Sequence, residues 1–277
     1  MPYSKRSKAA LQAVISRSIP AAQAAGCFSA LEGLSGGSLH FMAGGKEYVA
    51  RQQPSAAMPG VSLSRQYRAL KRIPAEIGPR PVCLSDGWLI VHWLAGEVKS
   101  DIGSLPVLST MLYHLHRQRR FGWRISLLPL LDHYWQSAAP ARRSLLWLRC
   151  LKRMKKRGEP KSLRLAPLHM DVHTGNLVHQ ADGLKLIDWE YAGDGDIALE
   201  LAAIATANGV DSETLVNAYA KASHIDVKTL RRQVYRWQPW VMMLMASWYE
   251  CRWQQTQDRT FLTLADEAWS LLRAKNR

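Results

Sequence analysis

The chain has 277 residues, a formal net charge of +15 and a hydrophobic content of 47%. This length allows one or two domains with a substantial core, and the composition indicates a globular rather than a disordered protein. No apolar run reaches the roughly 18 residues of a membrane-spanning helix. The basic N-terminal stretch also lacks the continuous apolar segment of a signal peptide. We therefore expect a globular protein that does not act at a membrane.

The cysteines and the basic residues limit the kinds of site and binding partner that the protein can have. The cysteines lie far apart and form no Cys-x-x-Cys pair: Cys27, Cys83, Cys150 and Cys251. This spacing argues against a zinc site or a disulfide framework and fits reduced thiols in the cytoplasm. No nucleic-acid-binding motif accompanies the positive charge. We therefore expect mainly solvated basic faces, with attraction of an anionic nucleotide as the second explanation and nucleic-acid binding as the third.

The first part of the chain predicts a helix followed by an antiparallel sheet. A helix-like segment lies within the first 25 or so residues, and residues 31–41 indicate two strands around a Gly/Ser-rich turn. Such a turn lets backbone N–H groups and hydroxyls approach phosphates, because glycine has no Cβ. The candidate phosphate-binding residues of this turn are Ser35, Gly36, Gly37 and Ser38.

Arg51 is the second candidate for binding phosphate. A glycine turn at residues 43–46 predicts a hairpin, and the strand that follows, residues 47–52, carries Arg51 near its end. An arginine can hold a phosphate through two parallel N–H groups, and it keeps its charge at every physiological pH. We therefore expect Arg51 to hold a nucleotide phosphate.

The remaining elements divide the chain into a mixed part and a helical part. Hydrophobic periodicity predicts a helix over residues 62–73, and two strands, residues 82–84 and 88–93, surround an Asp-Gly turn. We place the domain boundary near residue 95, which gives domains 1–95 and 96–277. Further helices are predicted from Ser104 onward and over residues 127–135, 141–154, 197–208, 211–223, 227–256 and 260–274.

The most informative stretch combines carboxylates and an amide around a predicted hairpin. Apolar runs at 177–178 and 184–187 flank an Asp-Gly turn, so Asn176 begins the first strand and Asp188 follows the second. Antiparallel pairing brings these two residues close together. Their oxygens suit Mg²⁺, which takes its other ligands from water and nucleotide phosphates. Asp171 precedes this pair and is the predicted base that receives a proton from a hydroxyl nucleophile.

The pattern His-x-Asp-x-x-x-x-Asn at 169–176, followed by Ile-Asp-Trp-Glu at 187–190, resembles the aminoglycoside phosphotransferase and choline kinase family. The resemblance implies a protein-kinase-like α+β fold, with a small N-terminal lobe on an antiparallel sheet and a larger, mainly helical C-terminal lobe. It also implies ATP and Mg²⁺ as cofactors. A closer resemblance, to one group of kinases within this family, runs through nearly the full chain and rests on residues 33–38, 65–70, 121–125, 168–179 and 183–201.

Other residues support the motif in this interpretation. We expect His169 to brace the catalytic loop by hydrogen bonds, and Asp196 to cap the helix that follows it. Glu200 stands where the family usually has an aspartate that braces the catalytic loop. Gln66 stands where the family usually has a glutamate that pairs with the phosphate-clamping residue. We therefore expect the Gln66 amide to orient Arg51 by a hydrogen bond.

The predicted acceptor is a hydroxyl group on a small organic cation. The chain contains 11 tryptophans, and aromatic faces attract organic cations and stack on flat rings. Trp248 is the candidate aromatic contact, and Glu190 and Asp194 are candidate carboxylates for the cation. Choline or an aminoglycoside remains open as the acceptor, although aminoglycosides need many acidic residues. A non-catalytic basic binding protein is the remaining alternative, and the complete set of catalytic-loop residues argues against it.

Overall fold

The computed structural model describes residues 5–19, 29–30, 38–53 and 59–275. The chain forms two compact units, one of residues 1–102 and 173–192, the other of residues 103–172 and 193–277. The boundary near residue 95 stays a prediction. Within the described ranges, no helix combines the length and the apolar character that crossing a membrane requires.

The first unit is built on an antiparallel sheet of five strands in the order β1-β2-β3-β5-β4. The strands are β1 (Ser29–Ala30), β2 (Ser38–Ala43), β3 (Lys46–Gln52), β4 (Pro81–Ser85) and β5 (Trp88–His92). Gly44 and Gly45 have φ values of 55° and 72°, and Asp86 and Gly87 have values of 47° and 75°. Two-residue hairpin turns of this kind need positive φ at both positions. Both predicted hairpins are therefore confirmed.

Helix α1 (Lys5–Ser18) packs on one face of this sheet. The buried cluster between them consists of Leu11, Val14, Ile15, Ile19, Leu39, Phe41, Ala43, Tyr48, Ala50, Trp88 and Ile90. Side chains alternate between the two faces of a strand. Because Ala50 belongs to this cluster, its neighbour Arg51 projects from the opposite face of the sheet.

Helix α2 (Leu63–Leu70) is shorter than the predicted segment of residues 62–73. Ser62 lies just outside it as the N-cap, and its Oγ accepts a hydrogen bond from the N–H of Arg65 at 3.1 Å. The helix ends at Leu70, and Pro74 prevents it from extending further along the chain, because a proline disfavours helical geometry in the residue before it.

A second sheet in the first unit contains the predicted hairpin. It has the order β6-β8-β9, with β6 (Glu97–Val98), β8 (Leu177–Gln180) and β9 (Gly183–Leu186). Gln180 pairs with Gly183, so Ala181 and Asp182 form the loop. The Asp-Gly pair was predicted to be the centre of the turn, but Gly183 is already the first strand residue. Its φ of 141° is accessible to glycine and rare for other residues.

The end of this hairpin is anchored by the loop after α2. The N–H of Leu186 donates to the carbonyl of Ile77 at 2.7 Å, and the indole N–H of Trp189 donates to the carbonyl of Leu186 at 2.9 Å. A Cβ on Gly78 would lie 2.9 Å from the indole nitrogen and 3.0 Å from that carbonyl. Only glycine permits this close approach, so the loop fixes the strand end that precedes Asp188.

The second unit is mainly helical, as predicted. Its helices are α3 (Leu105–His116), α4 (Leu127–Ser137), α5 (Leu145–Arg157), α6 (Ile197–Asn208), α7 (Ser212–Ser223), α8 (Val227–Thr256) and α9 (Arg259–Lys275). The predicted start of α5 at residue 141 is wrong. Pro140–Arg142 form a separate short helical turn, and Ser144 caps α5 by accepting from the N–H of Trp147 at 3.2 Å. The bounds predicted for α8 are confirmed.

One short strand pair in the second unit leads into the His-x-Asp motif at residues 169–171. Strands β7 (Leu165–Leu168) and β10 (Gly193–Asp196) are antiparallel. Asp196 is 1% exposed and caps α6, as predicted. Its carboxylate also accepts from the amide of Gln233 at 2.6 Å and from the indole of Trp237 at 2.8 Å. Asp196 therefore ties β10 and α6 to α8.

Candidate active site

The first group of candidate residues surrounds the end of β3 in the first unit. Ser38 and Arg51 are direct partners on β2 and β3, so their side chains lie on the same face of the sheet. The other three residues predicted for the phosphate turn, Ser35, Gly36 and Gly37, lie outside the described residues. The structure thus brings one end of that turn beside Arg51, and the nucleotide-binding role of both stays a prediction.

Arg51 binds two carboxylates that follow β9. Its Nη1 donates to Asp188, and its Nη2 donates to Asp188 Oδ2 at 3.2 Å and to Glu190 Oε2 at 3.3 Å. The three side chains are 12%, 21% and 14% exposed. Burial lowers the pKa of Arg51, but the charges of Asp188 and Glu190 outweigh this effect and raise it. The cluster therefore places the Arg51 cation between two carboxylates.

Gln66 does not take part in this cluster. Its side chain is 3% exposed in α2, and its Oε1 accepts no hydrogen bond from any residue that the structure describes. A guanidinium group can only donate, so a contact with Arg51 would need that oxygen. The prediction that Gln66 orients Arg51 is therefore wrong. Glu190, which was predicted to contact the acceptor, supplies the ion pair instead, and its contact with an acceptor stays a prediction.

Asn176 and Asp188 lie at the open end of the β8–β9 hairpin. The N–H of Ile187 donates to the carbonyl of Asn176 at 3.0 Å, which extends the strand pairing by one position. Asp188 follows directly and has a φ of 61°, a left-handed conformation that aspartate adopts more readily than most residues. The side chain of Asn176 is buried, whereas that of Asp188 is partly exposed.

This donor set fits Mg²⁺ better than a metal held entirely by protein. An amide oxygen and a carboxylate are hard ligands, and Mg²⁺ in nucleotide sites is bound through one or two carboxylates plus phosphates and water. In the described part of the chain, no three His, Cys, Asp or Glu residues converge as metal ligands. Metal binding by Asn176 and Asp188 stays a prediction.

The second group of candidate residues lies in the second unit, where β7 leads into Asp171. Met170 has a φ of 67°, which is strained for a residue with a long side chain. The N–H of Asp171 donates to Nδ1 of His169 at 3.2 Å. Glu200 Oε1 accepts from the N–H groups of His169 and Met170 at 2.6 and 2.7 Å. These bonds hold the backbone before Asp171 in one conformation, which is the bracing that His169 and Glu200 were expected to provide.

Glu200 is a buried carboxylate that remains ionised. Burial by itself would raise the pKa of its carboxyl group. The hydrogen bond and charge interaction with His116, the N–H of Met170 and the charge of His169 outweigh burial and lower it. The folded protein therefore favours the ionised form more than the unfolded chain does.

Replacing Glu200 with Gln should give a loss of stability that depends on pH. Because the folded pKa is lowered, ionised Glu200 contributes stability above its ordinary pKa of 4.5, and this is lost as the pH falls through the folded value. The difference in unfolding free energy between wild type and Glu200→Gln should thus be larger at neutral pH than in acid. Urea unfolding at several pH values measures it, with the exposed Glu76→Gln as a control. A difference independent of pH would contradict the assignment.

The Asp194 carboxylate stabilises a turn of the second unit by hydrogen bonds. Asp194 is 4% exposed, and its two oxygens accept from the N–H groups of Phe121 and Gly122, each at 2.7 Å. The N–H of Asp194 in turn donates to the carbonyl of Trp123 at 2.8 Å. The carboxylate therefore fixes the turn at residues 121–124, and its contact with an acceptor stays a prediction.

Among the aromatic residues of α8, Tyr249 interacts electrostatically with Asp171. Burial, then the charges of Asp171 and Glu267, raise the pKa of the Tyr249 hydroxyl. Trp248 lies edge-on to Phe261 of α9 at 5.7 Å between ring centroids, with the Arg252 guanidinium 5.7 Å from its ring centroid. Sequence reasoning missed Tyr249, because helical spacing gives no reason to prefer one aromatic of α8 over another. The role of Trp248 as an acceptor contact stays a prediction.

Comparison with known proteins identifies a matching family and relatives that are similar over nearly the full length of this chain. Residues 31–237 match the family model described as the phosphotransferase enzyme family. The chain is 50% identical to the thiamine kinase of Escherichia coli O157:H7 over 99% of its own length and 100% of the relative's. The same identity and coverage hold for the thiamine kinase of Escherichia coli O17:K52:H18.

Solved structures show the same fold at low sequence identity. A choline/ethanolamine kinase family protein from Mesorhizobium loti superposes with a TM-score of 0.73 at 18% identity, covering 96% of this chain and 94% of that one. The choline kinase LicA from Streptococcus pneumoniae gives 0.74 at 14% identity, covering 98% and 100%. The predicted protein-kinase-like α+β fold is thereby confirmed. The family model, the full-length relatives and the fold agree, and the chain belongs to the phosphotransferase enzyme family.

Proposed function

We propose that this protein transfers the γ-phosphoryl group of ATP to the hydroxyethyl oxygen of thiamine, giving thiamine monophosphate in a salvage step in the cytoplasm. The observation that carries this proposal is the similarity to thiamine kinases over almost the whole of both chains. Thiamine also agrees with the acceptor inferred from the sequence, since it combines a flat pyrimidine, a cationic thiazolium ring and a primary hydroxyl.

In this proposal the residues of the first unit hold the nucleotide, and residues 1–95 form the nucleotide-binding lobe. Arg51 and the turn that ends at Ser38 bind the phosphates, because a guanidinium and a glycine-rich turn are both suited to phosphate oxygens. Asn176 and Asp188 would hold Mg²⁺, which when bound neutralises charge on the phosphates. The ion pair with Glu190 would keep Arg51 in place if Asp188 bound the metal.

Asp171, in the lobe formed by residues 96–277, receives or orients the proton of the acceptor hydroxyl. A carboxylate is an acceptor when ionised, and the loop that carries Asp171 is fixed by His169 and Glu200 through backbone hydrogen bonds. Phosphoryl transfer depends mainly on positioning and on charge stabilisation. A rigid loop is therefore the feature that this step most requires of the protein.

A panel of acceptors tests the proposed function. The purified protein is incubated with ATP and Mg²⁺ and with thiamine, choline, an aminoglycoside or a simple sugar, and ADP formation is measured together with the phosphorylated product. We expect turnover with thiamine, with the highest kcat/KM of the panel. The Asp171→Asn variant controls for background ATP hydrolysis.

Two outcomes would contradict the proposal. Turnover of choline or an aminoglycoside with none of thiamine would assign another acceptor to the same site. Salt-dependent binding to DNA or RNA without turnover of any acceptor would favour a basic binding protein.

A further inference from the structure

A chain of buried polar side chains connects helices α3 and α7 of the second unit to Glu200 on α6. His116, at the C-terminal end of α3, has its Nε2 2.6 Å from Oε2 of Glu200 on α6. Its Nδ1 lies 2.6 Å from the hydroxyl of Tyr219 on α7. His116 is 3% exposed, and the other two are fully buried. The chain thus runs from phenol to imidazole to carboxylate without contact with solvent.

Burying these three polar side chains destabilises the fold unless each of them forms hydrogen bonds. Burying a polar group without a partner costs free energy, and well-packed apolar side chains often fill a core with equal or better stability. Tyr113 and His116 already pack their rings against that of Tyr219, so apolar packing is available at this position. Packing alone therefore does not explain the Tyr219 hydroxyl and the His116 imidazole. Their hydrogen bonds, which lead to the Glu200 carboxylate, do explain them.

The chain determines which way the Glu200 carboxylate faces. An ionised carboxylate only accepts, so the proton between it and His116 lies on Nε2. The contact with Tyr219 fixes the other ring nitrogen, and the imidazole cannot rotate without breaking both bonds. Oε2 is thus held toward α3, which leaves Oε1 facing the two backbone N–H groups of the catalytic loop.

Those two N–H groups belong to His169 and Met170, directly before Asp171. Met170 is the residue with the left-handed φ of 67°, a conformation that persists only where the surroundings enforce it. We infer that His116 and Tyr219 are positioning residues for phosphoryl transfer, which fix Glu200 and through it the backbone that presents Asp171. This inference rests on the proposed function, since it assigns Asp171 to the reaction.

Substitution at His116, measured by kinetics and by hydrogen exchange, tests this inference. We expect His116→Ala to lower kcat by about 10- to 100-fold, the effect of removing an outer partner that orients a reactive group. KM for ATP should stay unchanged, and the amides of residues 169 and 170 should exchange faster. His116→Gln should recover much of the kcat, because its amide N–H can replace Nε2 as a donor to Glu200.

Two further variants separate positioning from loss of stability. Leu108→Ala removes a fully buried side chain from the same helix, so it should lower Tm while leaving kcat and the two amides near wild type. Tyr219→Phe removes only an oxygen atom, so it should fold even if His116→Ala does not. It should lower kcat by less than His116→Ala, with faster exchange at residues 169 and 170.

The outcomes distinguish this inference from the proposed function. If His116→Ala, or Tyr219→Phe where the first does not fold, kept wild-type kcat and wild-type amide exchange, the inference would be wrong. If the wild-type protein phosphorylated no hydroxyl acceptor, the proposed function would fail, and hydrogen exchange would still show whether His116 holds the loop. Equal kcat losses in Leu108→Ala and His116→Ala would also overturn the positioning role.

Discussion

Asp171→Asn should lower kcat by about 10²- to 10⁴-fold, the usual contribution of a positioned general base. The amide has nearly the shape of the carboxylate but cannot accept the hydroxyl proton. The loop is held through backbone bonds to His169 and Glu200, so the substitution leaves its conformation intact. ATP binding should therefore remain close to that of the wild-type protein.

Steady-state kinetics with thiamine, together with equilibrium titration of ATP, measure both effects. Asp182→Asn is the matched control, since it changes an exposed aspartate in the β8–β9 loop and should leave kcat unchanged. Near-normal kcat in Asp171→Asn would show that another group receives the proton. A large loss of ATP affinity would show that Asp171 acts on the nucleotide.

Arg51→Met should cause the second large effect, because it removes the cation from between two mostly buried carboxylates. Breaking a buried ion pair by deleting one partner typically costs about 3–5 kcal/mol, since the remaining charge is left uncompensated. The same change removes the proposed phosphate clamp. We therefore expect a lower free energy of unfolding and a much weaker affinity for ATP.

Urea unfolding and ATP titration measure these two losses separately. Arg51→Lys keeps the charge but not the planar pair of donors, so it should recover stability more fully than ATP affinity. Arg80→Met changes an exposed arginine of the same unit and should affect neither quantity. Unchanged stability in Arg51→Met would contradict the view that Asp188 and Glu190 depend on this cation.

Elements that depend on local patterns could be predicted from the sequence. The bounds of α8 follow from its capping residue Asp226 and its long amphipathic pattern. The β8–β9 hairpin follows from two apolar runs around a short polar loop. The loop lies one residue earlier than predicted, yet Asn176 and Asp188 still fall at the open end, because the strand lengths and not the turn type determine that placement. Strand β10 was missed, because its Gly-Asp-Gly-Asp sequence has low strand propensity.

The contacts that shape the candidate site could not be predicted in the same way. Arg51 and Glu190 are 139 residues apart, and His116 and Glu200 are 84 apart. No periodic pattern connects residues at such separations, so only the folded chain shows that they meet. The resemblance of the motif to a known family pointed to Gln66 as the partner of Arg51, whereas the structure uses the carboxylates of Asp188 and Glu190, which follow β9.

Which of the tryptophans contact the acceptor could not be predicted from the sequence either. Their abundance suggested an aromatic site, but several use the indole N–H to satisfy buried acceptors. Trp189 donates to the carbonyl of Leu186, Trp237 to Asp196 and Trp269 to Glu250. A buried tryptophan usually needs such a partner. Composition alone therefore cannot separate tryptophans that bind a ligand from those that complete the core.

The position of Asp196 has a consequence for how the second unit folds during synthesis. Two of the donors that satisfy this buried carboxylate, Gln233 and Trp237, lie on α8, 37 and 41 residues further along the chain. A nascent chain that ended before α8 would bury the charge without them. The strand and helix around Asp196 therefore gain their full stability only after α8 has left the ribosome. We therefore expect the folding of this unit to be completed only after α8 has been made.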